Sequence, residues 1–401
     1  MAGKAALDGI RVVCFGMGGA APLATATLGD FGAEVLKVEP VTGDWSRTTP
    51  GLGTREFNRN KKGIAIDLKR KEGIALARRL LATADVMMES FRPGVMARLG
   101  LGYEAVREVN PRIVYCSVTG YGQTGPWKDK PGVDGIIQAV SGIMSVLGPD
   151  EEGGAPDDEP MKVSFPIADM TGGLMAVQGI MMALFARERQ GMGQHVDVSL
   201  LEGALVIQKS TLTRYLSSHE LPTKTGSRAP YATPNEAYRT SDGHIMLAAY
   251  TKDRWKALCC DVLGMPELET DPRFQERPTR QNHHRELKAI IEGVLQTRTS
   301  AEWLALCEQH DLICAPINNY HQLVGLEHIK ARKSIESMTF PDGRTLGTVA
   351  PAPRLSETPG TLRYPYPSRI GQHTREILLS IGMSEAEIGK LSADGVIAMQ
   401  A

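Results

Sequence analysis

The sequence predicts an α/β protein with a parallel sheet, in which a Rossmann-like large domain is joined to a smaller α+β domain. Through the first half of the chain, short β-branched runs alternate with helical patterns, which is typical of right-handed βαβ crossovers. The pattern changes near residue 222, where an alternating stretch around Asp242-Gly243 predicts a hairpin. A proline-rich stretch at 350–368 predicts an extended linker before two short terminal helices.

The predicted elements follow one another in a regular order. Strands are expected at 10–15, 33–39, 63–68, 85–89, 112–118 and 194–200. Helices are expected after the first strand and at 71–84, about 132–147 and about 170–189. Capping-box patterns occur at Thr299 with Glu302 and at Ser384 with Glu387. We therefore expect a first part of the large domain at 1–221, a small domain at 222–330, and a linker and return to the large domain at 331–401.

The composition excludes several classes of protein. The 401 residues include 45 Lys and Arg against 46 Asp and Glu, a net charge of −1, so the basic excess of nucleic-acid-binding proteins is missing. The six cysteines have no CxxC spacing, which argues against structural zinc. The N-terminus lacks a signal-peptide pattern, and the apolar run 172–186 is too short to span a bilayer. We expect a cytoplasmic protein that binds neither nucleic acid nor membrane.

A glycine-rich turn follows the first predicted strand. Gly16-x-Gly18-x-x-Ala21 opens a helix, and Glu39 ends the next strand, which is close to the dinucleotide-binding fingerprint. A tight strand-to-helix turn that needs small residues accounts for the same pattern. An NAD-binding oxidoreductase is therefore one hypothesis.

Two aspartates precede helical patterns. Asp134 lies in "DKPGVDG" and Asp169 in "ADMTGG", and helix capping is the ordinary role of an aspartate at such a position. A carboxylate at a helix N-terminus is also favoured in its ionised form. It can then attack a carbonyl, while nearby N–H groups hold the oxyanion that forms. Basic residues at 57–69 and 90–100 could contact phosphates or could be solvated surface charges.

Taken together, several segments resemble the family III CoA-transferases, the group of formyl-CoA transferase and L-carnitine CoA-transferase. The similarity runs in order over nearly the whole chain and is densest in 7–205. The segments that carry it include "AAPLATATLGDFGAEVLKVEP", "FNRNKKGIAIDLK", "SFRPGVMARLG", "NPRIVYCSVTGYGQTGP", "PGVDGIIQAVSGIMSVLG", "ADMTGGLMAVQGIMMALFARERQGMGQHVDVSLLEG" and "IGQHTREILL".

The resemblance implies an architecture and a chemistry. The large domain would be built from both chain ends, and two rings would interlock into a homodimer. Asp169 would be the nucleophile and would carry an aspartyl–CoA thioester. The substrates would be an acyl-CoA donor and a carboxylic acid acceptor, with no permanently bound cofactor. The resemblance places substrate or CoA contacts at Gly18, Gly19, Ala20, Ile66, Leu68, Lys69, Ser90, Phe91, Val95, Arg98, Lys130 and Asp134.

Departures from related patterns narrow the expected activity. The racemases of the same fold need a histidine before the shared aspartate, and this chain has Val133 there, which removes one arm of an acid/base pair. Gly19 replaces the glutamine of formyl-CoA transferase, and "IMLAAYTKDRW" replaces its glycine-rich lid. Because such donors are common in the family, the resemblance implies transfer of CoA from succinyl-CoA or a similar donor to a free carboxylic acid. An acyl-CoA racemase or isomerase is the alternative within the fold.

Overall fold

The computed structural model describes residues 5–48, 56–150, 159–340 and 343–399. The chain forms two compact units. One comprises Met1–Met144, Lys162–Glu220 and Ala331–Ala401, and the other comprises Ser145–Met161 and Leu221–Lys330.

A seven-stranded sheet forms the centre of the first unit. Its strands are β1 (Arg11–Cys14), β2 (Glu34–Glu39), β3 (Lys61–Ile66), β4 (Val86–Glu89), β5 (Val114–Thr119), β6 (His195–Ser199) and β12 (Ile397–Ala398). They are arranged in the order β12-β3-β2-β1-β4-β5-β6. Strands β1 to β6 are parallel, and β12 pairs antiparallel with β3. The order 3-2-1-4-5-6 is that of Rossmann folds, in which ligands bind where the order reverses, here between β1 and β4. The predicted mixed α/β class with a parallel sheet is confirmed.

Helices connect the strands of this sheet and follow them in the chain. They are α1 (Ala20–Asp30), α2 (Lys71–Leu81), α3 (Val95–Arg98), α4 (Tyr103–Val109), α5 (Asp134–Val140), α6 (Ile143–Val146), α7 (Ile167–Gln190), α8 (Leu200–Ile207), α9 (Lys209–Ser218), α17 (Thr374–Ser380) and α18 (Glu385–Ala393). The single helix expected at 132–147 is two helices, because Gly142 adopts a positive φ of 87° between them. A hairpin of β10 (Ile335–Thr339) and β11 (Thr345–Val349), which the sequence did not predict, also belongs to this unit.

The second unit contains a three-stranded antiparallel sheet, β7 (Asn235–Arg239), β8 (His244–Ala248) and β9 (Ile313–Pro316). The hairpin predicted around Asp242-Gly243 is confirmed. Both predicted capping boxes are present, at Thr299 and at Ser384. The helices are α10 (Lys252–Ala257), α11 (Glu267–Thr270), α12 (Arg277–Asn282), α13 (His284–Leu295), α14 (Ser300–Gln309), α15 (Tyr320–Gly325) and α16 (Glu327–Ala331), with a π turn at Leu258–Val262. Buried Trp255, Phe274 and Trp303 lie in this unit's core.

Helix α7 is longer than the apolar run 172–186 suggested. Its 24 residues make it, by length and composition, the one described helix that could cross a membrane, which corrects the expectation that the run is too short. Core helices of soluble proteins pass the same test. One face of α7 packs on α1 and α8 through small residues, among them buried Gly172, Gly173 and Ala176.

Candidate active site

Asp169 lies inside the first turn of α7. The helix begins at Ile167, with Pro166 at the N-cap position and no side-chain cap of its own. Asp169 is thus the third helical residue, and the prediction that it caps the helix is wrong. Its backbone N–H is one of the first-turn groups that have no acceptor within the helix.

Asp134 supplies the missing acceptor. It is the first residue of α5, yet its Oδ1 accepts hydrogen bonds from the backbone N–H of Ala168 at 2.8 Å and of Asp169 at 3.3 Å. Sequence reasoning foresaw a capping aspartate at this position but assigned it to its own helix. The long chain separation hides the partnership from local patterns.

The glycine-rich turn packs directly against the Asp169 carboxylate. A Cβ atom added to Gly19 would lie 2.5 Å from Asp169 Oδ2 and 3.0 Å from its Cγ. Only glycine therefore allows this approach without a shift of the turn or the carboxylate. Gly18 has a positive φ of 83°, so the backbone conformation also favours glycine there. The turn leads into α1, whose first N–H groups have no intrahelical acceptor.

Burial, and to a smaller extent the negative charge of Asp134, together raise the pKa of Asp169 to about 6. The stabilisation of the ionised form by the helix start is thus outweighed by desolvation. Within the described part of the chain, no group donates a hydrogen bond to the Asp169 carboxylate. At neutral pH the group is still mainly ionised, so it is a desolvated carboxylate with free lone pairs.

A cavity of about 270 Å³ opens in front of this carboxylate; we call it the nucleophile pocket. It lies at the carboxyl ends of the strands, where the Rossmann order predicts a ligand. Of the residues expected from the sequence, it brings together Asp169, Gly18, Gly19, Ala20, Ser90, Phe91 and Lys130. Sequence reasoning missed Met17, Thr119, Lys128 and Leu200, which also line it.

A second cavity of about 360 Å³, which we call the outer pocket, contains the remaining expected strand residues. Ile66, Leu68 and Lys69 line it, together with Phe15, Val38 and Pro40. Met17 and Phe91 line both cavities. The two cavities are therefore neighbours, separated by these two side chains.

Three expected contact residues line neither pocket. Val95 and Arg98 are the first and last residues of α3, and Asp134 acts on the backbone of α7 as described above. The described contacts give Val95 and Arg98 no role in either cavity.

Three of the four basic residues in the run 57–69 are paired within the fold, and Lys69 is exposed. Lys61 is fully buried, and its Nζ donates to the carbonyl oxygens of Pro22 and Phe57 and to Asn58 Oδ1. Arg59 pairs with buried Asp30, and Lys62 pairs with Glu34 and Glu376. Of the four basic residues singled out in this run, only Lys69 lines a described pocket.

Glu39 does not have the free carboxylate that the dinucleotide fingerprint requires. The side chain is buried, and Arg47 donates to both of its oxygens, at 2.6 and 2.7 Å. The backbone N–H of Asp44 donates to it as well. This residue is committed to structure, which weakens the NAD hypothesis.

The comparison with known proteins decides the class. The model of the family described as CoA-transferase family III matches residues 7–374. The chain belongs to this family. This CoA-transferase is 34% identical to the succinyl-CoA–D-citramalate CoA-transferase of Chloroflexus aurantiacus over 98% of each chain. It is 33% identical to the mouse succinyl-CoA:glutarate CoA-transferase, over 98% of this chain and 90% of that protein.

Solved structures agree with the family assignment. The crystal structure of a CAIB/BAIF family protein from Brucella suis covers 94% of this CoA-transferase with a TM-score of 0.81 at 32% identity, and all of that chain is matched. The resemblance to CoA-transferases expected from the sequence is confirmed, and the NAD hypothesis is set aside. Exposed Val133 lines the nucleophile pocket, and no histidine is among the described lining residues, which argues against the racemase alternative.

Proposed function

We propose that this enzyme moves CoA from a dicarboxylic acyl-CoA, such as succinyl-CoA, to a free carboxylic acid through a thioester on Asp169. The observation that carries the proposal is the half-buried Asp169 carboxylate, which has no described hydrogen-bond donor and opens onto the nucleophile pocket. A carboxylate partly stripped of water is a stronger nucleophile than a fully hydrated one, and the nucleophile pocket offers space for an acyl intermediate.

The first half-reaction loads the enzyme with CoA. An oxygen of the Asp169 carboxylate attacks the donor's thioester carbonyl, which forms a mixed anhydride and releases CoA thiolate. The thiolate then attacks the aspartyl carbonyl, which forms the aspartyl–CoA thioester. The donor acid leaves with the bridging oxygen, which came from Asp169.

The second half-reaction runs in the opposite sense. The acceptor carboxylate attacks the aspartyl thioester and releases the thiolate again. The thiolate attacks the acceptor's carbonyl in the new anhydride, so that the product acyl-CoA leaves and the Asp169 carboxylate is restored. The bridging oxygen, which came from the acceptor, stays on Asp169. Each tetrahedral intermediate carries an oxyanion, for which the unpaired first-turn N–H groups of α1 are suitable donors.

The two neighbouring pockets suit a long, two-part ligand. The outer pocket has an apolar lining of Phe15, Val38, Ile66 and Leu68, which suits the adenine base. The nucleophile pocket contains Arg92, Lys128 and Lys130, whose positive charges suit phosphate or carboxylate groups. We infer that CoA lies across Met17 and Phe91, with its sulfur at Asp169.

The choice of donor is supported by the relatives. Proteins named as succinyl-CoA transferases with D-citramalate or glutarate are similar over nearly the whole chain. The basic residues of the nucleophile pocket give a reason for a dicarboxylic preference, because a distal carboxylate would be paired there. For the acceptor we propose its chemical class, a free carboxylic acid.

The proposed assembly is an interlocked homodimer with a large domain built from both chain ends. Large apolar side chains are exposed on α7, α8 and α9, namely Leu174, Met182, Phe185, Val206, Ile207 and Leu216. Exposed patches of this kind mark interaction surfaces. A second copy of the chain would bury them.

Trapping the thioester tests the proposed chemistry. The enzyme is incubated with succinyl-CoA and no acceptor, then treated with hydroxylamine or borohydride and digested. We expect the peptide containing Asp169 to carry a hydroxamate or a reduced alcohol, and Asp169→Asn to carry neither. An unmodified Asp169 peptide in an enzyme that turns over would overturn the proposal.

A further inference from the structure

A hydrogen-bonded unit connects α5 to the segment before the nucleophile. Asp134 Oδ1 accepts from the N–H groups of Ala168 and Asp169, and its Oδ2 accepts from Gln138 Nε2 at 2.7 Å. Fully buried Gln138 also holds the backbone of Val163: its Oε1 accepts from the Val163 N–H at 2.9 Å, and its Nε2 lies 3.3 Å from the Val163 carbonyl oxygen. Asp134 and Gln138 thus fix both ends of 163–169.

This arrangement brings two carboxylates to one helix end. The N–H groups at the start of α7 would normally stabilise an anion, but two of them are already bonded to Asp134. Asp169 therefore faces a fixed negative charge on the side where a helix start usually offers donors. The other charged groups around it are Arg92, Lys128 and Lys130 of the nucleophile pocket, and these act in the opposite direction.

We propose that Asp134 is a positioning residue that fixes the orientation of Asp169 through the backbone of α7 and keeps it reactive by its negative charge. The proposal rests on the proposed function, in which Asp169 is the nucleophile. Asp134 has two effects on Asp169. Its hydrogen bonds to the backbone set where the Asp169 carboxylate points, and its charge sets how strongly that carboxylate binds a proton or an acyl carbon. Repulsion from Asp134 acts in the same direction as burial on the pKa of Asp169.

Two variants separate these two effects. Asp134→Asn keeps an oxygen for the two N–H groups but removes the charge, and its new amide faces Gln138 Nε2. Gln138→Met removes the contact with Asp134 and the bonds to Val163 but leaves the charge in place. Asp242→Asn is the matched control, because Asp242 Oδ1 likewise accepts from a first-turn N–H of another element, that of Ser300 at 2.7 Å, and lines neither pocket.

The experiment measures the rate of thioester formation on Asp169 by rapid quench and mass spectrometry, across a range of pH, with succinyl-CoA as the probe. For Asp134→Asn we expect the acidic limb of the profile to move down by about 0.5 to 1 pH unit, because a neighbouring like charge is lost. The plateau rate should fall about two- to tenfold, because a weaker base is a weaker nucleophile. For Gln138→Met we expect the plateau rate to fall by up to about 100-fold, while the acidic limb of the pH profile stays where it is in the wild-type enzyme.

Each outcome has a distinct meaning. A limb that does not move in Asp134→Asn overturns the electrostatic role, and wild-type rates in both variants overturn the positioning role. Equal losses in Asp242→Asn would show a general stability effect and would also overturn the inference. If the wild-type enzyme turns over but forms no adduct on Asp169, the proposed function fails first, and the role of Asp134 fails with it.

Discussion

At the residue scale, the reactivity of Asp169 depends on how closely its neighbours approach the carboxylate. Gly19 and the small residues of α7 leave that group half-buried and accessible from the nucleophile pocket. A methyl group on Gly19 would meet Asp169 Oδ2 at 2.5 Å, which is closer than van der Waals contact allows. The carboxylate or the turn must then move.

We expect Gly19→Ala to lower the rate of thioester formation by about 100-fold, because a displaced nucleophile loses its attack geometry. Steady-state and single-turnover kinetics measure this loss. The matched control is Gly293→Ala, in the interior of α13, where an added Cβ meets nothing within 4 Å. That variant should keep full activity and gain up to about 1 kcal/mol of stability. Equal activity in both variants would contradict the packing argument.

Glu89 is a second buried carboxyl group at this edge of the sheet. It ends β4 and accepts from the backbone N–H of Phe91 at 2.8 Å. Burial raises the pKa of Glu89 to about 7. The folded protein therefore binds this proton more tightly than the unfolded chain, and the group costs stability as pH rises from the unfolded pKa through about 7.

We expect the free energy of unfolding of Glu89→Gln, relative to that of the wild-type enzyme, to be higher at about pH 8 than at about pH 5, by at most about 3 kcal/mol. The reason is that a neutral amide has no charge to desolvate on folding. Urea unfolding of both proteins at the two pH values measures the difference. A stability difference that is the same at both values would contradict the raised pKa of Glu89.

Sequence reasoning at this scale named Asp169, Gly19 and several other residues of the nucleophile pocket, but not the hydrogen bonds around Asp169. The partnership of Asp134 with Asp169 joins residues that are far apart in the chain, and no local pattern encodes it. Lys61 was misinterpreted because a lysine in a basic run is ordinarily solvated. Its burial depends on three oxygen acceptors, from Pro22, Phe57 and Asn58, that only the fold brings together.

At the element scale, strand β2 supports the glycine-rich turn through a buried ion pair. Lys37 Nζ lies 2.6 Å from Asp44 Oδ2, and both side chains are 1% exposed. The same Nζ donates to the carbonyl oxygen of Gly16 at 3.2 Å. The ion pair therefore fixes the start of the turn that contacts Asp169.

We expect Lys37→Met to destabilise the enzyme by about 3–5 kcal/mol, because it leaves Asp44 buried without its counter-ion. Replacing both partners, as in Lys37→Met with Asp44→Leu, should restore much of the stability but not the bond to Gly16. The exposed pair of Arg254 and Asp311 is the control, and Arg254→Met should cost at most about 1 kcal/mol. Denaturant unfolding measures the stability of the two single variants and the double variant. Similar losses in Lys37→Met and Arg254→Met would contradict the stabilising role of the buried ion pair.

The sequence predicted most elements of the parallel sheet, because β-branched runs and capping boxes are local signals. It placed β3 two residues too late, since Lys61 and Lys62 do not look like strand residues. It also joined α5 and α6 and shortened α7. The first two errors lie at lysines and at Gly142, whose conformation depends on tertiary contacts.

At the scale of the whole molecule, the apolar surface of α7 predicts self-association. Met182 and Phe185 are each 66% exposed, and Glu at either position would place a charge in the proposed interface. We expect the wild-type enzyme to sediment as a dimer and Phe185→Glu to lose the dimer or its solubility. Val109→Glu, at an exposed position at the end of α4, should leave the assembly unchanged. A monomeric wild-type enzyme would contradict the proposed assembly.

The most direct test of the account follows the oxygen atoms. In the proposed mechanism, the acceptor's oxygen stays on Asp169 after each turnover. An acceptor acid labelled with the heavy oxygen isotope should therefore label the peptide containing Asp169 in the presence of a CoA donor, and not in the donor's absence. Continued turnover with an unlabelled Asp169 peptide would contradict the covalent role of this residue.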